Sequence, residues 1–286
     1  MTSVLVTAAT GTVGRHAVDA LEKRGARALA ASRDPEHASD RFAEPVEPVA
    51  FDFARPETWG RALEGVDGLV LVRPPGVDTD AVTGFASAAA RVGVDRIAYL
   101  STLGADRNPL IPHYRAERHV AGLDVEHCLL RASYFCQNLH EVHGRWLRER
   151  DELFVPAGSG ATSFVDARDV GAVAAEVLTT ADPATSYDVT GPEALTYTEV
   201  AAVFSDVLGR EIRYPAPSLP GFLARELRAG RPPGFALLLC GIYTTARLGL
   251  ADRVSDDVER LLGRPPRTVR EYVTDYADRF APGDGG

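Results

Sequence analysis

Lysine is almost missing from this chain. Of 286 residues only Lys23 carries an ammonium side chain, and the other fixed positive charges are arginines. Any mechanism that needs a lysine away from residue 23 is therefore excluded. Positive charge is in deficit as a whole, with 31 lysines and arginines against 40 aspartates and glutamates and a formal net charge of −9. An acidic surface repels nucleic-acid phosphates and anionic lipid, and no clustered run of arginines offsets it, so neither nucleic acid nor membrane is an expected partner. Cysteine is scarce too. Cys128, Cys136 and Cys240 are an odd number without metal-type spacing, which argues against a disulfide framework and a zinc site. Long hydrophobic runs are also absent. The longest apolar stretch, "FALLLCGIY" at 235–243, is too short to span a bilayer. Met1 leads straight into a strand pattern with no basic leader or cleavage site, so a cytoplasmic protein is expected.

What is present is material for a sizeable core, with 45% hydrophobic and 25% charged residues. The first half alternates short β-branched or apolar runs with amphipathic helical patterns. Strands are expected at 3–8, 26–32, 47–53, 67–74, 95–102 and 125–133. Between them stand helical patterns such as "VGRHAVDALEKRG", with Val13, Ala17, Val18 and Leu21 on one face and Gly25 as a stop. Strands separated by helices of this length imply βαβ units and a parallel, doubly wound sheet, an α/β fold of Rossmann type. The pattern loosens after residue 134. "FCQNLHEVHGRWLRERD" reads as a helix leaving the core, and 163–180 as a segment with Asp169 ahead of an apolar-periodic helix. A strand near 185–191 returns to the sheet. The expected division is a dinucleotide-binding core over 1–155 and a smaller, mostly helical substrate lobe over 156–286, with a frayed terminal "PGDGG".

The stretch "LVTAATGTVGRHAV" at 5–18 joins a strand to a helix through a glycine-containing turn. Gly11 lets the backbone approach a pyrophosphate, and Gly14 allows the helix to pack closely on the sheet. The helix N-terminus offers N–H groups and a positive dipole end to phosphates. Ala8 stands where a first glycine is expected, and costs little there only if its φ is negative. Thr7, Thr10, Thr12 and Val13 complete the candidate phosphate turn. At the tip of the second strand, "AASRDP" has no acid to hold a ribose 2′-hydroxyl. Instead Ser32 and Arg33 follow, and an arginine can fork onto a 2′-phosphate. NADP(H) is therefore the expected cofactor, although Asp34 stands beside Arg33.

Together with "LLRASYFCQNL" (129–139), "FVDARDVGAVAAEVL", "YDVTGPEALTYTEVA" and "VSDDVERLLGRPPRTV", these motifs resemble the NmrA-like group of atypical short-chain dehydrogenases/reductases. Ala8 departs from the family's phosphate loop, and Ala132 stands where the family usually has proline. The resemblance spans nearly the whole chain. It implies a Rossmann core, NADP(H) binding and one of two roles: a reductase of quinones, dyes, imines or phenylpropanoid-like molecules, or a non-catalytic redox sensor. An epimerase or dehydratase is a weaker third alternative.

The usual Tyr-x-x-x-Lys pair of short-chain dehydrogenases cannot form here. Tyr114 and Arg118 have the same spacing, with Ser101 and Thr102 upstream. Tyr114 is a candidate catalytic group, or an aromatic that simply packs between helix and sheet. By the family pattern His113 falls where reductase-type members place a lysine or histidine beside the nicotinamide. It either donates a proton near neutral pH or only hydrogen-bonds the ribose, with Glu117 one turn on to orient or charge it. Asp52, Val72, Arg73 and Pro74 are candidate cofactor contacts at the ends of the third and fourth strands. Ser133, Tyr134 and Phe135 are candidates on the nicotinamide side. "HEVH" at 140–143 lacks the spacing and third ligand of a zinc site, and no metal is expected. The segment from Gly234 to Tyr243 is either an apolar lid or a core helix of the lobe. The expected reaction is hydride transfer from NADPH to a small apolar, aromatic or quinone-like substrate. Homodimer formation stays open at this point.

Overall fold

The computed structural model describes residues 2–38, 42 and 46–281. They form two compact units. The first comprises 1–132, 167–189 and 257–264, and the second 133–166, 190–256 and 265–286.

The first unit is a doubly wound α/β sandwich. In chain order it holds β1 (Ser3–Val6), α1 (Gly14–Lys23), β2 (Arg27–Ser32), α2 (Pro35–Ala38), β3 (Glu47–Ala50), α3 (Trp59–Ala62), β4 (Gly68–Val72), α4 (Thr79–Arg91), β5 (Arg96–Thr102), α5 (Pro112–Ala121) and β6 (Glu126–Ala132). It adds α8 (Ala167–Thr179), β9 (Ser186–Val189) and α12 (Asp257–Leu262). The described residues form a seven-stranded sheet in the order β3-β2-β1-β4-β5-β6-β9, every neighbouring pair parallel. Alternation along the strands sends Leu5, Leu29, Leu69, Leu71, Ile97 and Tyr99 to one face, packed with Phe85 of α4 and Ala116 and Val120 of α5. The intervening residues, Val4, Val6, Ala30, Val70 and Ala98, are buried on the other face, where α1 and α8 pack together. Their approach requires Gly171, because a Cβ there would fall 2.6 Å from the Ala17 amide nitrogen. The strand order reverses between β1 and β4, the place where such sheets bind ligands beyond their carboxyl ends.

The second unit holds β7 (Tyr134–Phe135), α6 (Asn138–Glu141), α7 (Gly144–Arg150), β8 (Ala161–Val165), β10 (Ala194–Thr196), α9 (Tyr197–Leu208), α10 (Leu219–Arg228), α11 (Pro233–Arg247) and α13 (Val269–Asp275). Its core is aromatic, built on Trp146, Phe164, Tyr197, Phe204, Phe222, Tyr243, Tyr272 and Phe280. Capping boxes at Thr196/Glu199 and Thr268/Glu271 start α9 and α13.

Three sequence expectations change. The units do not divide at 155/156; the chain crosses between them several times, because α8 carries the apolar face Val170, Val173, Ala174 and Val177, and β9 extends the sheet beside β6. The second unit also contains a small sheet, β10-β8-β7. Residues 161–165 belong to it as a strand, since Thr162, Phe164 and Val165 suit a paired, buried surface. Finally, the expected helix through 135–151 is two short helices, with a break at which His143 turns inward to Tyr243. The terminal "PGDGG" lies outside the described residues. No described helix is long and apolar enough to cross a membrane.

Candidate active site

The turn after β1 is built around the Ala8 carbonyl. Ala8 has φ +50°, so the condition of a negative φ is not met and the alanine is held in the left-handed region. Its carbonyl accepts from the Gly11 amide at 2.9 Å. A Cβ on Gly11 would lie 3.1 Å from that oxygen. A Cβ on Gly14 would overlap the same oxygen and stand 2.8 Å from both Ala8 C and Ala9 Cα. Thr10 and Gly11 are exposed and Val13 and Gly14 are buried, so the turn shows its tip to solvent. The Val13 side chain does not cap α1 and the helix's first turn holds no acid, which leaves its positive end suited to an anion. Thr7 does something else: fully buried, its hydroxyl donates to Val72 O at 3.0 Å and accepts from Val72 N at 2.8 Å, clamping β1 to β4 at the switch point.

At the tip of β2, Ser32 Oγ bonds the Asp34 backbone at 3.0 and 3.1 Å. Asp34 turns its carboxylate to His37, 3.0 Å away, and that hydrogen bond holds its carboxyl below the usual range. Arg33 is exposed and has no partner among the described residues. Asp52 caps its own turn through the Ala54 amide at 2.9 Å. This constellation fits a dinucleotide: a backbone cradle that only glycine permits, an uncapped helix start, and an uncommitted guanidinium at the tip of β2.

Val72, Arg73 and Pro74 are half-buried at the end of β4, beside β5. The adjoining residues of β5 face α5. His113, in the first turn of α5, places Nδ1 2.7 Å from the Tyr99 hydroxyl. Burial first, and the positive charge of Arg73 second, bring His113 down to about 4, against a smaller opposing pull from Glu117. Burial raises the Tyr99 phenol well above its usual range. Both groups are therefore neutral at pH 7, and the expectation of an imidazolium donor near neutral pH gives way to a neutral imidazole. Glu117 does not bond His113. Its carboxylate, 4% exposed, accepts from Arg131 at 2.8, 3.1 and 3.2 Å and from Ser101 Oγ at 2.5 Å. Arg131 has a second, longer ion pair with Asp106 at 3.9 Å. Tyr114 lies under Arg118, whose guanidinium is 5.8 Å from the ring centroid. Thr102 ends β5, half-buried.

Ser133, Tyr134 and Phe135 belong to the second unit. The Ser133 hydroxyl is buried without a hydrogen-bond partner among the described residues. The Tyr134 hydroxyl meets that of Tyr243 at 2.6 Å, and Tyr243 in turn meets His143. Full burial brings His143 down to about 3. The two histidines of "HEVH" thus point to different tyrosines, His140 to Tyr272 and His143 to Tyr243. Among the described residues no group of three or more His, Cys, Asp or Glu is placed to hold a metal. α11 divides lengthwise: Ala236, Leu239, Tyr243 and Ala246 are core, while Leu237 and Leu238 are 58% and 56% exposed.

Sequence reasoning gave no site role to Tyr99, Arg131, His143 or Tyr243. One signal was available, since a tyrosine inside the apolar run "IAYLS" must find a partner for its hydroxyl once buried.

Switch point, glycine cradle and uncapped helix define a dinucleotide-binding Rossmann protein. A model of the NmrA-like family matches residues 1–227, and the chain belongs to that family. It is 32% identical over 283 residues to the NAD(P)H azoreductase of Xenophilus azovorans, covering 97% of this chain and 99% of that one. It resembles the Citrobacter sp. triphenylmethane reductase complexed with NADP(H), with TM-score 0.83, 26% identity and coverage of 96% and 99%. It also resembles the NADPH-dependent quinone oxidoreductase of Escherichia coli complexed with NADPH, with TM-score 0.84, 27% identity and coverage of 95% and 99%.

The neutral histidines make the fold acid-labile. The unfolded chain takes up protons near pH 6.5, whereas folded His113 resists to about 4 and His143 to about 3. Stability is complete above pH 6.5 and is lost as pH falls through that window. Urea unfolding at pH 5.0 is expected to give a lower free energy than at pH 7.5, by on the order of 2 kcal/mol per histidine. His143→Asn should remove about half of the difference, the His113 share remaining; an unchanged wild-type free energy between the two pH values would contradict the assignment.

Proposed function

We propose that this NADP(H)-dependent reductase passes hydride to a small apolar acceptor that is aromatic or quinone-like. Bound NADPH supplies the hydride. Gly11, Gly14 and the start of α1 hold its pyrophosphate, and Arg33 its 2′-phosphate. With Tyr99 donating to Nδ1, His113 presents a neutral Nε2–H that orients the ribose or the acceptor.

The observation that carries the acceptor class is the hydrogen bonding of this site. The Tyr99 hydroxyl is engaged by His113 Nδ1 at 2.7 Å, and burial keeps His113 from being an imidazolium at pH 7, so the site offers no cationic acid. An aliphatic ketone becomes a strongly basic alkoxide on reduction and needs a proton in the transition state. A quinone or an extended enone instead becomes a delocalised oxyanion that does not. The azo, triphenylmethane and quinone names of the relatives support an aromatic or quinone-like acceptor.

The test is NADPH oxidation with quinones, enones, imines, aromatic aldehydes and an aliphatic ketone. Quinones are expected to exceed the aliphatic ketone by about a hundredfold or more, some 3 kcal/mol of barrier. His113→Ala should slow quinone reduction about tenfold, the worth of one hydrogen bond. Equal rates for the ketone would defeat the acceptor class. Tight NADPH binding without turnover of any compound would point to a dinucleotide sensor.

A further inference from the structure

Arg73 is a cation that the fold does not use. It follows Val72, the last residue of β4, whose register partner in β5 is Leu100. One step back, Leu71 pairs with Tyr99, and both lie on the face covered by α4 and α5. Strand alternation directs Arg73 to that same face, just past the carboxyl end of the strand. There α5 brings His113, hydrogen-bonded to Tyr99. The Nε of Arg73 is shielded from solvent and has no hydrogen-bond partner among the described residues. A buried N–H left unmatched is costly and uncommon. The neighbours do not neutralise the guanidinium: Tyr99 and His113 are uncharged at pH 7, and the Glu117 carboxylate is engaged by Arg131 and Ser101.

We propose that Arg73 receives the negative charge that reduction leaves on the acceptor, so that the site selects acceptors whose two-electron product is a phenolate- or enolate-type oxyanion. The inference rests on the reductase reading above. The acceptor gains one hydride, which is one proton with two electrons, as one C–H bond of NADPH breaks and one bond to hydrogen forms on the acceptor. NADP⁺ and the acceptor's monoanion result. The anion's oxygen lies against the guanidinium, which stabilises charge as it develops. Water supplies the proton that completes the neutral product on release. Arg73 thus does electrostatically what a neutral His113 cannot do as an acid.

The test uses 4-nitrophenol as a mimic of the anionic product, titrated by its absorbance across pH on the full chain saturated with NADP⁺. In wild type the bound phenol is expected to ionise about one pKa unit lower than in water, a tenfold preference for the phenolate. Arg73→Met should abolish the shift and Arg73→Lys keep part of it, with NADP⁺ affinity changed less than about twofold, below 0.5 kcal/mol. Single-turnover reduction of menadione should slow about a hundredfold in Arg73→Met, the loss typical of one charge-stabilising donor. Failure of wild type to bind the phenol, or an equal shift in wild type and Arg73→Met, overturns the inference. So does a tenfold loss of NADP⁺ affinity in both variants with the phenol shift intact, which would assign Arg73 to the cofactor. Should Arg73→Met not fold, Arg73→Lys carries the comparison. Phenolate preference without menadione turnover would defeat the reductase reading and leave the anion site standing; turnover without phenolate preference would defeat only Arg73.

Discussion

Gly14→Ala is expected to abolish dinucleotide binding and to destabilise the fold by on the order of 3 kcal/mol, the upper range for overpacking against atoms that cannot yield. The added methyl would meet the Ala8 carbonyl oxygen and carbon and the Ala9 Cα, all backbone. The turn cannot retreat easily, because Ala8 is already at φ +50° and its carbonyl is tied to the Gly11 amide. Ala8→Gly acts in the opposite direction. A left-handed L-residue costs about 1–2 kcal/mol, and glycine returns roughly 0.5–1 kcal/mol of that as unfolded-chain entropy, so a net gain of about 0.5 kcal/mol is expected. Urea unfolding and NADPH titration by fluorescence quenching read both effects. A Gly14→Ala protein with wild-type stability and NADPH affinity would show that α1 does not start against the Ala8 carbonyl.

The second large effect belongs to Glu117. Its carboxylate balances the half-buried Arg131 guanidinium and accepts a hydrogen bond from the Ser101 hydroxyl, at the junction of α5, β5 and β6. Removing one member of a buried ion pair leaves the other charge uncompensated and typically costs about 3–5 kcal/mol. Glu117→Gln keeps the shape and removes only the charge, so a loss of about 3 kcal/mol is expected, because Asp106 at 3.9 Å compensates Arg131 in part. Adding Arg131→Met to Glu117→Gln should recover part of the loss, a coupling that a double-mutant cycle measures. If Glu117→Gln costs less than about 1 kcal/mol, the pair is not a strut of the site, since that is the range of exposed ion pairs.

Much of the first unit was legible residue by residue. The short β-branched, apolar run "SVLVTA" and the helical spacing of Val13, Ala17, Val18 and Leu21 reflect which side chains must leave water, a local property of the chain. Gly25 at φ +74° ends α1 where a glycine stop was read. Arg33 follows a strand tip without an acid, and that too is local. The absence of lysine beyond Lys23 settled one point outright, since no fold can form a Tyr-x-x-x-Lys pair from residues the chain lacks.

What stayed hidden depends on meetings between distant segments. Nothing local sets the sign of φ at Ala8; the packing of α1 against the turn does. Glu117 stands one turn from His113 on α5, yet its partners come from β5 and β6, because those strand ends are where a half-buried arginine and a buried hydroxyl meet it. The strand at 161–165 looks like a helix start in isolation and became a strand only because β7 and β10 offer edges to pair with. Periodicity and composition thus determined by themselves that this is a parallel α/β nucleotide fold without the usual lysine, because burial patterns and missing residue types are written in the chain. Only the tertiary structure decided that His113 is buried against the Tyr99 hydroxyl and that the Arg73 Nε is shielded without a partner among the described residues, because desolvation and proximity exist only once the strands and α5 have come together.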